Sequence, residues 1–476
     1  MDLTAIAAQA REAQAGWASS PLDRRVALMR EVSRRFAARA DELAASVCAE
    51  TRKASTDAWF ADIVPNLDLF AWWTGPGLAL LRPQRAPLSR LKFPGKRGEL
   101  RFEPRGLIGL ISPWNYPVAL PLRTLVPALM AGNAVLFKPS EVTPRTGALL
   151  ADIFDAVLPP GLVTVVQGGA EAGEAVVDAA DHVVFTGSVA TGRRVALRCA
   201  EQLKTVSLEL GGKDAAVVLA DCDLERTVQG VLWAACGNSG QNCAAIERVY
   251  VEAPLYERFV EALVGLAAQT PCAPAATAAQ EATVRRHLDD AIARGAVAHG
   301  ALPGPVVLTG APEDALAWTE ETFGPLIPVA PVRDAEDGLT RANASRFGLT
   351  TSLWTRDLAR AERLAARAHS GTVTINNAAF TAALPFAPWS GRGESGHGVT
   401  NSALALLDLV RPKFVLIDAH RDPEAWWFPA SPAAVTLARD TLAWLSAEGP
   451  SKLARTVGVL RGLRRRLAEQ RRFSRG

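Results

Sequence analysis

Cys243 closes the run Gly240-Gln241-Asn242-Cys243, and Glu209 lies upstream in Leu208-Glu209-Leu210-Gly211-Gly212. A thiolate attacks a carbonyl carbon, and a positioned carboxylate takes a proton from water, so this pair can form and then hydrolyse an acyl–sulfur bond. Asn115, in Pro113-Trp114-Asn115-Tyr116-Pro117, adds a neutral amide of the kind that holds an oxyanion, and the main-chain N–H of Cys243 is a second such donor. The loop Gly237-Asn238-Ser239-Gly240-Gln241 has glycines that let backbone approach a substrate closely. Each residue taken singly has a plainer reading: a small buried thiol, an exposed edge-strand carboxylate, a turn-forming Asn.

These side chains need elements that bring them together. Residues 2–49 read as helical, with Leu22, Val26, Met29, Val32, Phe36 and Leu43 at helical spacing among charges. From Gly106 the pattern alternates. Apolar runs at 107–111, 134–137, 162–166 and 182–185 are separated by helices after Pro121 and Thr143-Pro144, over 171–179 and over 189–203. Continuous apolar strands between helices with Pro in the first turn predict a parallel sheet covered on both faces, an architecture of the nucleotide-binding type. Thr205, Ser207 and Glu209 alternate with Val206, Leu208 and Leu210, which sets the carboxylate away from one apolar layer. A second alternation, with strands at 215–219, 248–251, 327–332, 351–354 and 372–376 and a helix over 224–236 leading to Cys243, reads as a second α/β domain. Motifs at the carboxyl ends of such strands are where an open α/β sheet places its chemistry. Phe185-Thr186-Gly187-Ser188 is a strand-to-helix junction able to take a phosphate, although no Gly-x-Gly-x-x-Gly occurs there.

The 476 residues, 49% hydrophobic and 21% charged, are enough for two or three domains with sizeable cores. The N-terminus has no basic segment running into an apolar stretch, and no run of about 18 apolar residues occurs, so a cytoplasmic location is expected. Six cysteines without a Cys-x-x-Cys pair and six scattered histidines indicate neither a disulfide frame nor a metal site.

Trp114-Asn115, Lys138-Pro139-Ser140-Glu141, the Glu209 and Cys243 segments, Glu321-Thr322-Phe323-Gly324-Pro325 and the glycine-rich 388–398 occur in this order. The set resembles the aldehyde dehydrogenase superfamily over roughly residues 5–418. The resemblance implies an α/β fold with a Rossmann-type cofactor domain at 1–208, including a bridging or oligomerisation hairpin at about 88–105. It implies a catalytic domain at 209–396, a return to the cofactor domain with an oligomerisation strand at 397–420, and leaves 421–476 as a basic helical extension. The implied activity is NAD(P)-dependent oxidation of an aldehyde through a Cys243 thioester, with Asn115 holding the oxyanion and Glu209 activating water. The same match assigns Ile111, Ser112, Trp114, Lys138, Ser140, Glu141, Thr186, Gly187, Ser188, Gly192, Leu210 and Gly211 to the cofactor. In it Lys138 and Glu141 hold the adenosine ribose, Glu321 the nicotinamide ribose, and Phe323 packs on the ring, while Tyr116, Asn242 and Trp389 border the substrate. A carboxylate at 141 repels a 2′-phosphate, which favours NAD over NADP. The motifs are similar to those of the branch acting on apolar aliphatic or aromatic aldehydes, and a homodimer or homotetramer assembled through 412–417 is implied.

Three features depart from the family pattern. The segment between Cys243 and Glu321 is shorter than is typical and its stretch Pro271 to Gln280 lacks the family's usual glycine-and-proline pattern, Ser390 stands where Gly is commoner, and the chain continues past 420. Residues 265–312, rich in Ala, Pro and Gly, are the part of the fold that sequence leaves least determined. Residues 451–476 hold nine Lys or Arg against Glu469, a charge of +8, whereas the other 450 residues sum to −5. Leu453, Val457, Leu460, Leu463 and Leu467 recur among Arg461, Arg464, Arg465 and Arg466, a pattern that suits an anionic membrane surface, a helix packed on the acidic body, or a solvated end. Two other classes stay open. A cysteine hydrolase needs a histidine partner that no motif offers, and a retired scaffold or a nucleic-acid or membrane binder would use the tail, though the intact Cys, Glu, Asn and Lys set argues for chemistry and no nucleic acid is expected.

Overall fold

The computed structural model describes residues 3–89, 93, 95–420 and 423–474. Residue 2 of the first helical pattern, 90–92 and 94 of the expected hairpin, and 421, 422, 475 and 476 of the extension lie outside the described residues.

The first alternation folds as a six-stranded sheet in the order Gly396–His397, Thr205–Glu209, His182–Thr186, Leu107–Ile111, Ala134–Lys138, Val163–Val165. Consecutive strands of this alternation pair in parallel, and the short Gly396–His397 returns antiparallel along Thr205–Glu209. Leu107–Ile111 and Ala134–Lys138 are buried at every position, as strands covered on both faces must be. The covering helices include Ala119–Ala131, ended by Gly132 at φ 97°, and Pro144–Asp155, which has Pro in its first turn. Met29, Val32 and Phe36 of the N-terminal helices enter the same core. Strand order reverses between Leu107–Ile111 and His182–Thr186, and that switch point is where such sheets bind ligands.

The second sheet runs Val297–His299, Val306–Thr309, Leu326–Val332, Ile246–Glu252, Asp214–Val218, Thr350–Trp354, Thr372–Ile375, parallel except for the first pair. The Ala- and Pro-rich segment that sequence left undetermined contributes its two outer strands and the helix Ala278–Ala293, capped by Thr277. Periodicity also did not signal the π-helix Ala58–Ile63, whose i→i+5 turn has no distinctive spacing.

A separate compact unit comprises 83–101 and 413–476. It holds a three-stranded sheet of Gln84–Arg85, Lys96–Pro104 and Val410–Asp418, and a hairpin of two helices, Pro432–Leu445 and Gly449–Phe473. The tail pattern differs from the expected polar-face arginines. Arg466 is fully buried, whereas Leu453, Val457 and Leu460 are exposed, because the Arg466 side of the helix turns inward against the loop that precedes the hairpin. Among the described residues no helix is long and apolar enough to cross a membrane. No cluster of potential metal ligands occurs among them either.

Candidate active site

Register sets Glu209, Thr186, Ile111 and Lys138 in a row across the carboxyl ends of four interior strands of the first sheet. Thr186 pairs with Glu209, Ile111 with Phe185, and Ile111 with Lys138. With strands about 4.8 Å apart, that row brings together residues separated by up to a hundred positions in the chain.

At one end of the row, Lys138 Nζ donates to Glu141 Oε2 at 2.8 Å, and the Lys138 side chain is buried while that of Glu141 is 63% exposed. The lysine holds the Glu141 carboxyl below the usual range. Ser140 Oγ caps Val142 N–H at 3.2 Å, and the buried Ser112 Oγ has no hydrogen-bond partner among the described residues. Nearer the switch point, Ser188 caps the helix Val189–Glu201, accepting from Thr191 N–H at 3.4 Å. Gly187 donates to the Glu209 carbonyl at 3.1 Å. Gly192 lies under Leu210, where any side chain would collide, so it acts by packing the helix on the sheet. An orphan hydroxyl, a buried lysine paired with an exposed carboxylate, and a helix N-terminus along this row fit an extended dinucleotide.

Cys243 follows three left-handed residues, Asn238, Ser239 and Gly240, with φ of 53°, 57° and 75°. A loop so strained needs outside support, and it has several braces. Asn115 Nδ2 donates to Gln241 O at 3.2 Å, Asn238 Nδ2 donates to Asn115 O at 3.1 Å, and Asn238 N–H donates to Asp57 at 2.9 Å. Gly212 packs on the Cys243 carbonyl and Gly240 on Gly324, both too closely for a Cβ. Asn242 Oδ1 accepts from Ala244 N–H at 3.1 Å and lies 3.8 Å from Cys243 Sγ, so it shapes the loop around the thiol.

Burial pushes the Cys243 thiol up to about 12, with Asp214, Glu321 and Glu209 adding to the shift and Arg123 opposing it. The titratable groups that shift it most are three carboxyls and one arginine, with no histidine among them. Glu209 is 6% exposed, and neither carboxylate oxygen has a hydrogen-bond partner among the described residues. Burial drives it well above the carboxylate range, opposed in smaller measure by Arg123 and still less by the Trp389 indole, which lies near the carboxyl but outside hydrogen-bond geometry. Trp389 is itself buried and packs with Ala244, Leu349, Ala382 and Cys243, lining the thiol's surroundings.

Trp114 and Phe323 meet edge to face, with ring centroids 5.7 Å apart. Phe323 has φ of 52°, and the buried Lys213–Glu247 pair holds its loop: Glu247 accepts from Thr322 N–H at 2.7 Å and Phe323 N–H at 2.8 Å. Glu321 Oε1 accepts from Gly212 N–H at 3.1 Å, in space that a side chain at Gly211 would fill. Burial, with Glu247 nearby, raises Glu321 to about 8.

Tyr116 lies under Lys53 Nζ, 4.0 Å from its ring centroid. Lys53 also binds Asp62 at 2.5 Å and the Asn115 carbonyl at 2.7 Å, both Lys53 and Asp62 side chains being fully buried. Sequence reasoning missed Lys53, Asp62, Arg123, Lys213 and Glu247. Charges on otherwise apolar helices and strands were the one available signal, since buried charges are seldom without a partner.

The aldehyde dehydrogenase family model matches residues 1–415. A 4,4′-diapolycopene aldehyde oxidase of Methylomonas sp. is 37% identical over 89% of this chain and 83% of that protein. The NAD+ complex of an aldehyde dehydrogenase from Bacillus cereus superposes with a TM-score of 0.83 at 30% identity, covering 88% of this chain and 89% of that one. An NADP-dependent glyceraldehyde-3-phosphate dehydrogenase from Bacillus halodurans, complexed with NADP, superposes with a TM-score of 0.83 at 28% identity, over 88% and 91% of the two chains. With strand ends, thiol loop and buried carboxylate arranged as described, the chain belongs to the aldehyde dehydrogenase family of NAD(P)-dependent enzymes.

Proposed function

We propose that this enzyme oxidises an apolar aldehyde to its carboxylic acid through a thioester on Cys243, hydrolysed with Glu209 as base. One observation carries the reading: Asn115 braces the Cys243 loop through Gln241 O, while Glu209 is buried within electrostatic reach of the thiol and its oxygens have no hydrogen-bond partner among the described residues. The Cys243 thiol gives up its proton to solvent, and the thiolate Sγ attacks the aldehyde carbon. The oxygen that becomes anionic is met by the Cys243 N–H and by the second Nδ2 hydrogen of Asn115, the first being held by Gln241 O. Ser112, Lys138, Glu141, the Gly187-Ser188 junction and Glu321 would hold a nicotinamide dinucleotide, which when bound would be the acceptor of the hydride lost from the aldehyde carbon. Glu209 then takes a proton from water as the water oxygen attacks the acyl carbon, and the carbon–sulfur bond breaks to release the acid and restore the thiol.

The exposed Glu141 carboxylate supports NAD over NADP. Ala244, Leu349 and Trp389 around the thiol support an apolar substrate, the class to which the aldehyde named for the Methylomonas relative belongs. Exposed Phe414 and Leu416 on Val410–Asp418 support assembly of copies through that strand. The test is NADH absorbance with NAD and a panel of aldehydes spanning chain length and aromaticity. Cys243→Ala is expected to abolish NADH formation while NAD affinity stays nearly intact, and activity within about tenfold of wild type would overturn the assignment.

A further inference from the structure

The loop before the C-terminal helical hairpin presents three large aromatic side chains outward: Trp426 is 65% exposed, Trp427 56% and Phe428 79%. The loop is braced from beneath. Arg466, with a fully buried side chain, donates to the carbonyls of Ala425 at 2.9 Å and Pro429 at 2.6 Å, and also to that of Trp427. Gln470 Nε2 adds a bond to Glu424 O at 2.6 Å. Burying a guanidinium is costly unless its donors are satisfied, and here three main-chain carbonyls, Ser431 and Glu469 satisfy them. The effect is to hold the aromatic rings outside the fold.

The apolar surface continues from that loop. Val435 lines one groove with Trp426, Trp427 and Phe428. Leu442 and Leu445 follow it on one face of Pro432–Leu445, exposed by 66% and 43%. The neighbouring helix adds exposed Leu453, Val457 and Leu460 among exposed Arg461, Arg464 and Arg465, inside the segment carrying +8. Aromatic and aliphatic side chains interleaved with arginines suit the boundary between headgroups and acyl chains, where rings enter the apolar layer and guanidinium groups meet phosphates. A second copy of the same surface is a poorer match, because two arginine-rich faces repel.

We infer that the helical hairpin and the loop that precedes it, residues 423–474, dock the enzyme on an anionic phospholipid surface, with Trp426, Trp427 and Phe428 inserting at the interface. The test is sedimentation of the full chain, at physiological salt, with vesicles of phosphatidylcholine and phosphatidylglycerol and with vesicles of phosphatidylcholine alone. The protein is expected to pellet with the anionic vesicles preferentially. The variant Arg461→Gln/Arg464→Gln/Arg465→Gln should partition roughly a hundredfold less, at about fivefold per cation. Trp426→Ala/Trp427→Ala/Phe428→Ala should partition about tenfold less or weaker, and oxidation of a water-soluble aldehyde by both variants should match wild type. Equal partitioning of wild type to the two vesicle types would overturn the inference. So would unchanged vesicle binding by the aromatic variant accompanied by a smaller particle in light scattering, which would assign the surface to another copy of the chain.

Discussion

Lys53 Nζ reaches the main-chain carbonyl of Asn115 at 2.7 Å, so a lysine outside every recognisable motif fixes the backbone of the proposed oxyanion donor. Its other partner, Asp62, accepts from Val118 N–H at 3.2 Å and Ala119 N–H at 3.1 Å, which ties the start of the helix Ala119–Ala131 to the π-helix Ala58–Ile63. Lys53→Met leaves a buried carboxylate unpaired and is expected to cost about 3–5 kcal/mol in denaturant unfolding. Lys53→Met/Asp62→Asn should regain much of that stability yet keep a kcat lowered at least about tenfold, since the Asn115 carbonyl then loses its ammonium partner and keeps only Asn238. Wild-type turnover in the double variant would show that Lys53 serves stability alone.

Glu209→Gln separates the two halves of the reaction. It is expected to release at most one NADH per Cys243 and then to turn over slowly, because hydride transfer precedes hydrolysis. Rapid-quench or stopped-flow absorbance reads the burst. In wild type the carboxyl is raised by burial, so the hydrolytic step should speed up as pH rises above the ordinary carboxylate range and the base form appears. Normal steady turnover by the variant would assign the water-activating role elsewhere.

Arg123 is the cation that opposes the raised thiol of Cys243. The sign follows directly: removing a positive charge raises the thiol further, and less thiolate is present at any given pH. In the cofactor-free enzyme, alkylation of Cys243 by iodoacetamide should climb through strongly alkaline pH, consistent with a value of about 12. Arg123→Gln should slow alkylation at a fixed alkaline pH. Equal rates for the two proteins would remove Arg123 from the electrostatics of the thiol.

Cofactor choice should rest on Glu141, whose carboxylate is exposed and steadied by Lys138. NAD is expected to exceed NADP in kcat/KM, and Glu141→Ser should narrow the gap by removing repulsion of a 2′-phosphate. Measured preference for NADP in wild type would refute this.

The strand ends were legible in the residues alone. Apolar runs at 107–111 and 182–185 sit within one residue of the observed strands, and the Gly187-Ser188 junction opens a helix as its composition requires. Glu209 could be assigned to a strand next to a glycine turn, since alternation and glycine are local signals that each segment carries by itself. What periodicity cannot report is which distant group meets a buried charge. Lys53 finds Asn115 and Lys213 finds Glu247 only when elements far apart in sequence close on one another. The tail shows the same limit. Composition announced a basic amphipathic helix, but burial of Arg466 and exposure of Leu453 were decided by three carbonyls of a preceding loop. Hydrogen-bond satisfaction there outweighed hydropathy, because a guanidinium with its donors filled is stable inside, while leucines for which the fold has no room remain at the surface.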